Sequence, residues 1–350
     1  MRSKFFALFA VSAMLLNLAG FAMADTHRRK GKKRQVNPLV ALLPAADGVA
    51  TVDARRLLTE AIPQILSASQ PMLRSIMKPL EEMQAKTGID LKKFETIAIG
   101  LTVAKTADNK FDMDPVVIAR GDVRSGSLVA IAKIASNGTY REEKFGERTI
   151  YIFSAKDIAN KTAAKTAPAA TASAIGGVID DLTKEMAVAS LDDTTLVLGS
   201  PALVRETLEG KTHVSPEVTS LLGGRESAVI NFAMRSPDGM SSLLPVDNDE
   251  IGANVNSIRY ISGSMDVNAA GTSFQVAAKT NDAKQAESLY NTLDGLKNLG
   301  KVFLGSSKRA DQRLYARLID SAKVGLRGST VSIDLLISQA DTDALVATIK

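Results

Sequence analysis

The chain has 350 residues, 45% of them hydrophobic and 23% charged, which gives room for two globular domains and excludes a fibrous or mainly disordered protein. The absence of cysteine excludes disulfides, thiolate metal sites, cysteine nucleophiles and the lipid-modified cysteine of a lipoprotein. The net charge of +5 arises at the N-terminus, because the chain from residue 35 onward has 35 basic and 37 acidic residues, a balance that disfavours nucleic-acid wrapping.

Residues 1–24 have the pattern of a secretory signal peptide. Two cations, Arg2 and Lys4, precede an apolar stretch over residues 5–21, and Ala22-Met23-Ala24 is typical of a cleavage site. We therefore predict export with cleavage after Ala24 and a periplasmic or secreted location. The alternative is an uncleaved N-terminal membrane anchor, because the apolar stretch is just long enough to span a bilayer.

Residues 25–38 are predicted to be a disordered basic arm, because they lack apolar spacing. The arm is either a solvated tail or an attachment to anionic lipid or envelope polymer, to which each cation would contribute about 1 kcal/mol. Nucleic acid is disfavoured as a partner, because no aromatic residue is interleaved for base stacking. The candidate contact residues are Arg28, Arg29, Lys30, Lys32, Lys33 and Arg34.

A first α+β unit is predicted over residues 39–212. It opens with a short strand at residues 49–52, after which Asp53 can cap a helix. The helical region extends to about Thr87, Gly88 closes it, and breaks are predicted near its prolines. These prolines are Pro63, Pro71 and Pro79.

The rest of the first unit alternates strands and helices. Two β-rich runs are followed by the helix "SGSLVAIAKIA", another strand, and a hairpin that turns at Asp192-Asp193. A short helix then begins at Pro201 and ends at Gly210. The segment 157–184, rich in alanine, threonine and lysine, is predicted to be a flexible loop.

A second α+β unit is predicted over residues 213–350. It repeats the order strand, helix, two strands, long helix, hairpin and closing helix, which suggests an internal duplication. The predicted fold is therefore α+β with two tandem ferredoxin-like (βαββαβ-type) units, each an antiparallel sheet with helices on one face. The long helix has one apolar stripe, formed by Ala283, Ala286, Leu289, Leu293 and Leu296.

Catalytic signals are sparse. The only histidines, His27 and His213, fall in the arm and in the predicted linker, which disfavours a catalytic triad and excludes a histidine metal cluster. We expect no cofactor, no metal and no catalytic residue, and hence a protein that is not an enzyme. The alternative is an extracytoplasmic hydrolase whose Asp and Glu side chains meet only in the fold.

Methionines on the proline-interrupted helices suggest an adaptable apolar contact surface. Met72, Met77 and Met83 are the candidates, since methionine suits surfaces that accept varied partners. The simpler interpretation is packing of these side chains against the sheet.

Several stretches give the chain a familiar pattern, among them "LLPAADGVATVDARRLL", "KTGIDLKKFETIAIG" and "SIRYISGSMDV". The chain resembles a family of uncharacterised exported bacterial proteins. This resemblance implies an extracytoplasmic location and a two-unit α+β body, with no substrate, cofactor or site residue. The leading hypothesis is a non-enzymatic envelope protein, a scaffold or binding module; a further alternative is a protein tethered to a membrane, through the basic arm and the apolar segment.

Overall fold

The computed structural model describes residues 37–88, 90–106, 111–135, 140–154, 185–222, 228–243 and 249–348. The predicted signal peptide, the six cations of the arm and the predicted loop 157–184 lie outside these residues. The described chain divides into two compact units. The first comprises residues 37–60 and 70–219, and the second comprises residues 61–69 and the chain from residue 220 onward.

Twelve strands are described. They form one open sheet, and every pairing whose register is described is antiparallel. The strands are β1 (Gly48–Asp53), β2 (Phe94–Lys105), β3 (Phe111–Gly121), β4 (Tyr140–Phe145), β5 (Arg148–Ser154), β6 (Glu185–Ser190), β7 (Thr195–Gly199), β8 (Ile230–Arg235), β9 (Ile258–Asn268), β10 (Gly271–Thr280), β11 (Lys323–Arg327) and β12 (Thr330–Ile337).

Ten α-helices accompany these strands in the described ranges. A π-helical turn joins the first two, and short 3-10 helices occur at Pro38–Leu42, Leu91–Lys93 and Met240–Leu243. The helices are α1 (Ala54–Arg56), α2 (Ile62–Ile65), α3 (Gln70–Thr87), α4 (Ser125–Ala135), α5 (Pro201–Glu209), α6 (Pro216–Thr219), α7 (Asp249–Asn256), α8 (Ala283–Gly305), α9 (Ala310–Ser321) and α10 (Gln339–Thr348).

Local capping chemistry explains several helix ends of the first unit. The Asp53 side chain accepts a hydrogen bond from the backbone N–H of Arg56, and the Ser200 side chain accepts one from Leu203, so each caps a helix N-terminus. Gly210 closes α5 in the left-handed conformation that glycine adopts without strain. Pro79 lies inside α3, so the predicted break at this proline is wrong.

The strand order of each unit follows its hairpins. In the first unit the order across the sheet is β1-β2-β3-β7-β6-β5-β4, and in the second it is β8-β9-β10-β12-β11. The first five strands of each order therefore correspond one to one, and the first unit adds the β4–β5 hairpin beyond them. An internal duplication would leave this shared topology, and the duplication itself remains a prediction.

The prediction of two tandem ferredoxin-like units is wrong, although the α+β class is correct. Crossover βαβ connections, from which a ferredoxin-like unit is built, join parallel strands. Here the helices after β1 lead instead to its antiparallel neighbour β2, and the helix after β8 likewise leads to its antiparallel neighbour β9. The twelve strands thus belong to one antiparallel sheet and not to two ferredoxin-like sheets.

Each unit has its own apolar core. In the first unit, buried Val129 of α4 packs with Phe153 of β5 and Val188 of β6. In the second, Ala286 and Leu289 of α8 pack with residues of the sheet, among them Ile258 and Val331. The N-terminal half of α8 is thereby fixed to the second unit.

Replacement of glycine by alanine should change the free energy of unfolding in opposite directions at two positions where the added side chain has room. A Cβ at Gly295 of α8 or at Gly328 of the β11–β12 turn would meet no atom within 4 Å, but Gly328 has a φ of +56°. We expect Gly295→Ala to raise the free energy of unfolding by about 0.5–1 kcal/mol, because alanine has a higher helix propensity than glycine. Gly328→Ala should lower it by about 1 kcal/mol, since a Cβ strains the left-handed backbone.

Urea denaturation of the two variants and the unaltered chain measures both effects. Equal destabilisation by both substitutions would contradict a regular helix at Gly295.

Candidate functional site

The C-terminal half of α8 exposes four large apolar side chains, which we call the α8 stripe: Leu296, Leu299, Val302 and Phe303. Phe303 is 74% exposed, Val302 69% and Leu299 57%. Leu296, Leu299 and Phe303 follow the spacing i, i+3 and i+7, which places them on one face of the helix. No other described helix exposes so many large apolar side chains.

The α8 stripe continues the buried face of the same helix. Ala286 and Leu289 are buried in the second unit, and the i, i+3, i+7 spacing continues through Leu293 to Leu296. The helix has 23 residues and is therefore about 34 Å long. Its apolar face is thus covered by the sheet at its start and open to solvent near its end.

Helix α9 packs back along the end of α8. The Cδ1 atom of Ile319 lies 3.2 Å from the position that a Cβ on Gly300 would take, and Ala316 lies 4.0 Å from the corresponding position on Gly305. Glycine therefore allows the two helices to approach closely. Helix α9 therefore covers one side of the end of α8, and the stripe lies on another side, which is exposed.

One ion pair joins the two helices of this hairpin, and a second lies at the start of α9. Lys301 of α8 lies 2.5 Å from Asp320 of α9, and Arg309 lies 2.6 Å from Asp311. The hydrogen bond from Lys301 lowers the pKa of Asp320, and the charge of Lys297 also contributes. The hydrogen bond from Arg309 similarly lowers the pKa of Asp311. Both carboxylates are thus ionised at neutral pH and neutralise part of the positive charge of the α8–α9 hairpin.

Further cations surround the hairpin turn. Lys308 and Arg313 are exposed and have no ion-pair partner among the described residues. Between Leu296 and Asp320 the chain has six basic residues and two acidic residues, and Arg317 also pairs with Asp341 of α10. The α8 stripe therefore lies on a locally basic hairpin, although the chain from residue 35 onward is slightly acidic.

The residues predicted from sequence as contact sites do not belong to this hairpin. The six arm cations lie outside the described residues, as does the Met83 side chain. Met72 and Met77 are half-buried on α3, and their spacing of five residues puts them about 140° apart around the helix. The methionine surface and the arm contact both remain predictions.

The apolar stripe predicted from sequence for α8 ends at Leu296. The next apolar residues, at 299, 302 and 303, carry the signal that could have extended it. Their exposure is a tertiary property, because the same spacing describes a buried helix equally well.

Two carboxylates of the first unit, Glu143 and Asp192, are held in their ionised form. Arg205 donates two hydrogen bonds to Glu143, of 2.7 and 2.6 Å, and this bonding lowers the pKa of Glu143. Burial tends to raise the pKa of Asp192, but hydrogen bonds from Thr194 and Thr195 outweigh it and lower the pKa overall. A general acid requires the opposite shift, so these carboxylates are suited to ion pairing.

A cation also packs on aromatic rings in the first unit. The Nζ of Lys133 lies 4.1 Å from the ring centroid of Tyr151 and 4.9 Å from that of Tyr140. It donates a 2.9 Å hydrogen bond to Glu142, which raises the pKa of Lys133. This cluster connects α4 to the β4–β5 hairpin and has a structural role.

The Glu143–Arg205 pair predicts a specific pH dependence of stability. The folded pKa of Glu143 is depressed, so its stabilisation is complete above the unfolded pKa of about 4.3 and is lost as pH falls through the folded pKa. Glu143→Gln removes this contribution. We expect the variant to be less stable by less than about 1 kcal/mol at pH 7, since the pair is partly solvated.

Urea denaturation between pH 7 and pH 3 tests this expectation. The stability difference between the unaltered chain and Glu143→Gln should be constant above about pH 5 and shrink below about pH 4. Glu147→Gln, on the adjacent turn, is the control and should leave the acid dependence of the unaltered chain unchanged. A difference that grows on acidification would contradict the pairing.

Neither a cluster of metal ligands nor a membrane-spanning helix occurs among the described residues. No group of three or more histidine, aspartate or glutamate residues in the described ranges is placed to hold a metal ion. Among the described helices, none has both the length and the apolar character needed to cross a membrane.

Comparisons with known proteins give limited likeness. No family model and no curated protein matches the chain. Crystal forms of the protein TP0453 are similar in structure. Crystal form I has a TM-score of 0.43 at 10% identity and covers 90% of this chain and 98% of that chain. Crystal form III has a TM-score of 0.42 at 10% identity and covers 91% and 100% of the two chains.

Proposed function

We propose that the chain is a non-enzymatic, exported protein of the bacterial cell envelope that acts as a binding module through the α8 stripe. The observation that carries this proposal is the exposure of the four apolar side chains on one end of a helix whose other end is anchored in a core. A contiguous exposed apolar patch is typical of an interaction site, because soluble proteins rarely expose such patches.

The geometry of α8 supports a contact function. A solvent-exposed Phe303 gains nothing for the stability of the isolated chain, since its apolar surface remains in water. Contact with a partner would remove that surface from water and gain roughly 25 cal/mol per Å² of apolar area. The anchored half of α8 holds the stripe in place, so little ordering entropy opposes binding.

The N-terminal pattern supports the location. An apolar stretch after two cations, followed by Ala22-Met23-Ala24, favours export with cleavage. Intact mass of the chain recovered from its host tests this part of the proposal. A mass that corresponds to a chain beginning at Asp25 supports export with cleavage. The mass of the full-length chain in the membrane pellet contradicts it.

Fractionation of the host tests the binding function. Envelope fractions are washed at high salt, which screens attachment through the basic arm and leaves apolar contacts intact. We expect the unaltered chain to remain in the washed envelope fraction and Leu299→Gln/Phe303→Gln to move to the soluble fraction. Met113→Gln/Leu326→Gln is the matched control, because it replaces two exposed apolar side chains on other elements.

Identical partitioning of the stripe variant and the control would overturn the proposed use of the stripe. Thermal unfolding of each purified variant tests whether its release is caused by loss of the fold, since a folded variant unfolds near the temperature of the unaltered chain. The two substitutions on α8 should leave stability nearly unchanged, since they affect exposed positions and glutamine is a good helix former.

A further inference from the structure

We infer that the partner of the α8 stripe is the surface of an anionic lipid bilayer, into which the end of the α8–α9 hairpin inserts to the depth of the headgroups. This inference rests on the proposed function and names the partner of its contact surface. It requires an apolar face to enter the interface and cations to meet the lipid phosphates.

The apolar part of the hairpin has the form of an interfacial helix. Leu296, Leu299 and Phe303 form one face, and Val302 widens it toward solvent. Tyr315 of α9 is also exposed, at 37%, and tyrosine favours the membrane–water interface. A helix in this position buries its apolar face about 5–10 Å into the boundary between headgroups and acyl chains.

The charge of the hairpin selects an anionic surface. Six basic residues and two acidic residues lie between Leu296 and Asp320, and two of the cations, Lys308 and Arg313, are exposed and unpaired among the described residues. Each cation near an anionic leaflet contributes about 1 kcal/mol. The long lysine and arginine stems can lie along apolar surface while the charges reach the phosphates.

The positive charge of the hairpin argues against two other partners of the stripe, a second copy of the chain and its own N-terminal arm. A second copy of the chain on a two-fold axis would bring two basic hairpins together, and like charges across an interface are repulsive. The arm of this chain, with its six cations at residues 28–34, is repelled in the same way. A bilayer with anionic headgroups matches both the apolar face and the sign of the charge.

A single tryptophan reports insertion directly, because the chain contains no tryptophan of its own. Phe303→Trp places the probe on the stripe, and Met113→Trp, at an exposed position of β3, is the matched control. Each protein is produced in its own host and purified in the form found there. Vesicles of phosphatidylglycerol and phosphatidylethanolamine are the anionic probe, and vesicles of phosphatidylcholine are the neutral one.

We expect the emission of Phe303→Trp to shift to shorter wavelength with anionic vesicles and to be quenched by brominated acyl chains. Neutral vesicles should give no shift, and Met113→Trp should respond to neither. Addition of Lys308→Gln and Arg313→Gln to the Phe303→Trp protein should weaken binding to anionic vesicles roughly 30-fold. Attachment through the N-terminal segment alone would leave the Phe303→Trp emission unchanged and would overturn the inference.

Other outcomes separate the inference from the proposed function. Absence of a vesicle response, together with stripe-dependent retention in washed envelopes, would overturn the lipid inference and leave the binding module with a non-lipid partner. A blue shift that depends on protein concentration without vesicles would indicate a second copy as the occupant. Equal blue shifts of the two tryptophan proteins would indicate unfolding on the vesicle and would also overturn the inference.

Discussion

Leu289→Ala is expected to lower the free energy of unfolding by about 2–5 kcal/mol, whereas Leu299→Ala should change it by less than about 0.5 kcal/mol. The two leucines lie on the same helix, but Leu289 is 2% exposed and Leu299 is 57% exposed. Truncation of Leu289 leaves a cavity beside Ile258 and Val331, while truncation of Leu299 removes surface that already faces water.

Equilibrium urea denaturation of both variants, followed by circular dichroism, measures the difference. The denaturant midpoint of Leu289→Ala should fall, and that of Leu299→Ala should coincide with the unaltered chain. A comparable loss in Leu299→Ala would show that the end of α8 is packed against the protein. The α8 stripe would then be unavailable for binding, so this stability measurement also tests the proposed function.

Local features of the fold could be predicted because local chemistry determines them. The cap formed by Asp53, the hairpin at Asp192-Asp193 and the end of α5 at Gly210 each depend on residues close in sequence. The side chain of an N-cap and the φ of a C-cap glycine are properties of a few neighbouring residues. These elements agree with the prediction.

The sheet could not be predicted in the same way. The pairing of β3 with β7 joins Val116 to Gly199, residues separated by more than eighty positions, and nothing in either strand alone specifies that partner. The ferredoxin-like prediction assumed that each helical connection crosses over to a parallel strand. The observed connections return to antiparallel neighbours instead, which the alternation of strands and helices in the sequence does not distinguish.

Of the four residues in the α8 stripe, only Leu296 belonged to the apolar face predicted from sequence. The spacing of Ala286, Leu289 and Leu293 predicted one apolar face of α8, and the structure confirms burial at the first two positions. Whether the sheet extends far enough to cover the end of the helix depends on strand lengths and tertiary contacts. Exposure of Phe303 therefore became visible only in the folded chain.

Strands β10 and β12 are neighbours in the sheet. Their register runs from Thr272 opposite Ile337 to Lys279 opposite Thr330, and α8 packs near the second of these ends, against Val331. Gly271 lies at the start of this ladder and is buried, with a φ of +131°. It is the position at which a small substitution should have a large effect.

Gly271→Ala is expected to lower the free energy of unfolding by roughly 3 kcal/mol or more. An added Cβ would overlap the backbone carbonyl oxygen of Ile337, which cannot rotate away as a side chain could. Overpacking of this kind costs about 1–3 kcal/mol, and a left-handed backbone adds about 1–2 kcal/mol for a residue with a Cβ. The strands β10 and β12 would have to separate at this end.

Gly146→Ala provides the matched control, because Gly146 also has a positive φ, of +59°, but a Cβ there would meet no atom within 4 Å. Its expected loss is about 1 kcal/mol, from backbone strain alone. Urea denaturation gives both values, and their difference isolates the contact with Ile337. Equal losses would contradict the close approach of Gly271 to the end of β12.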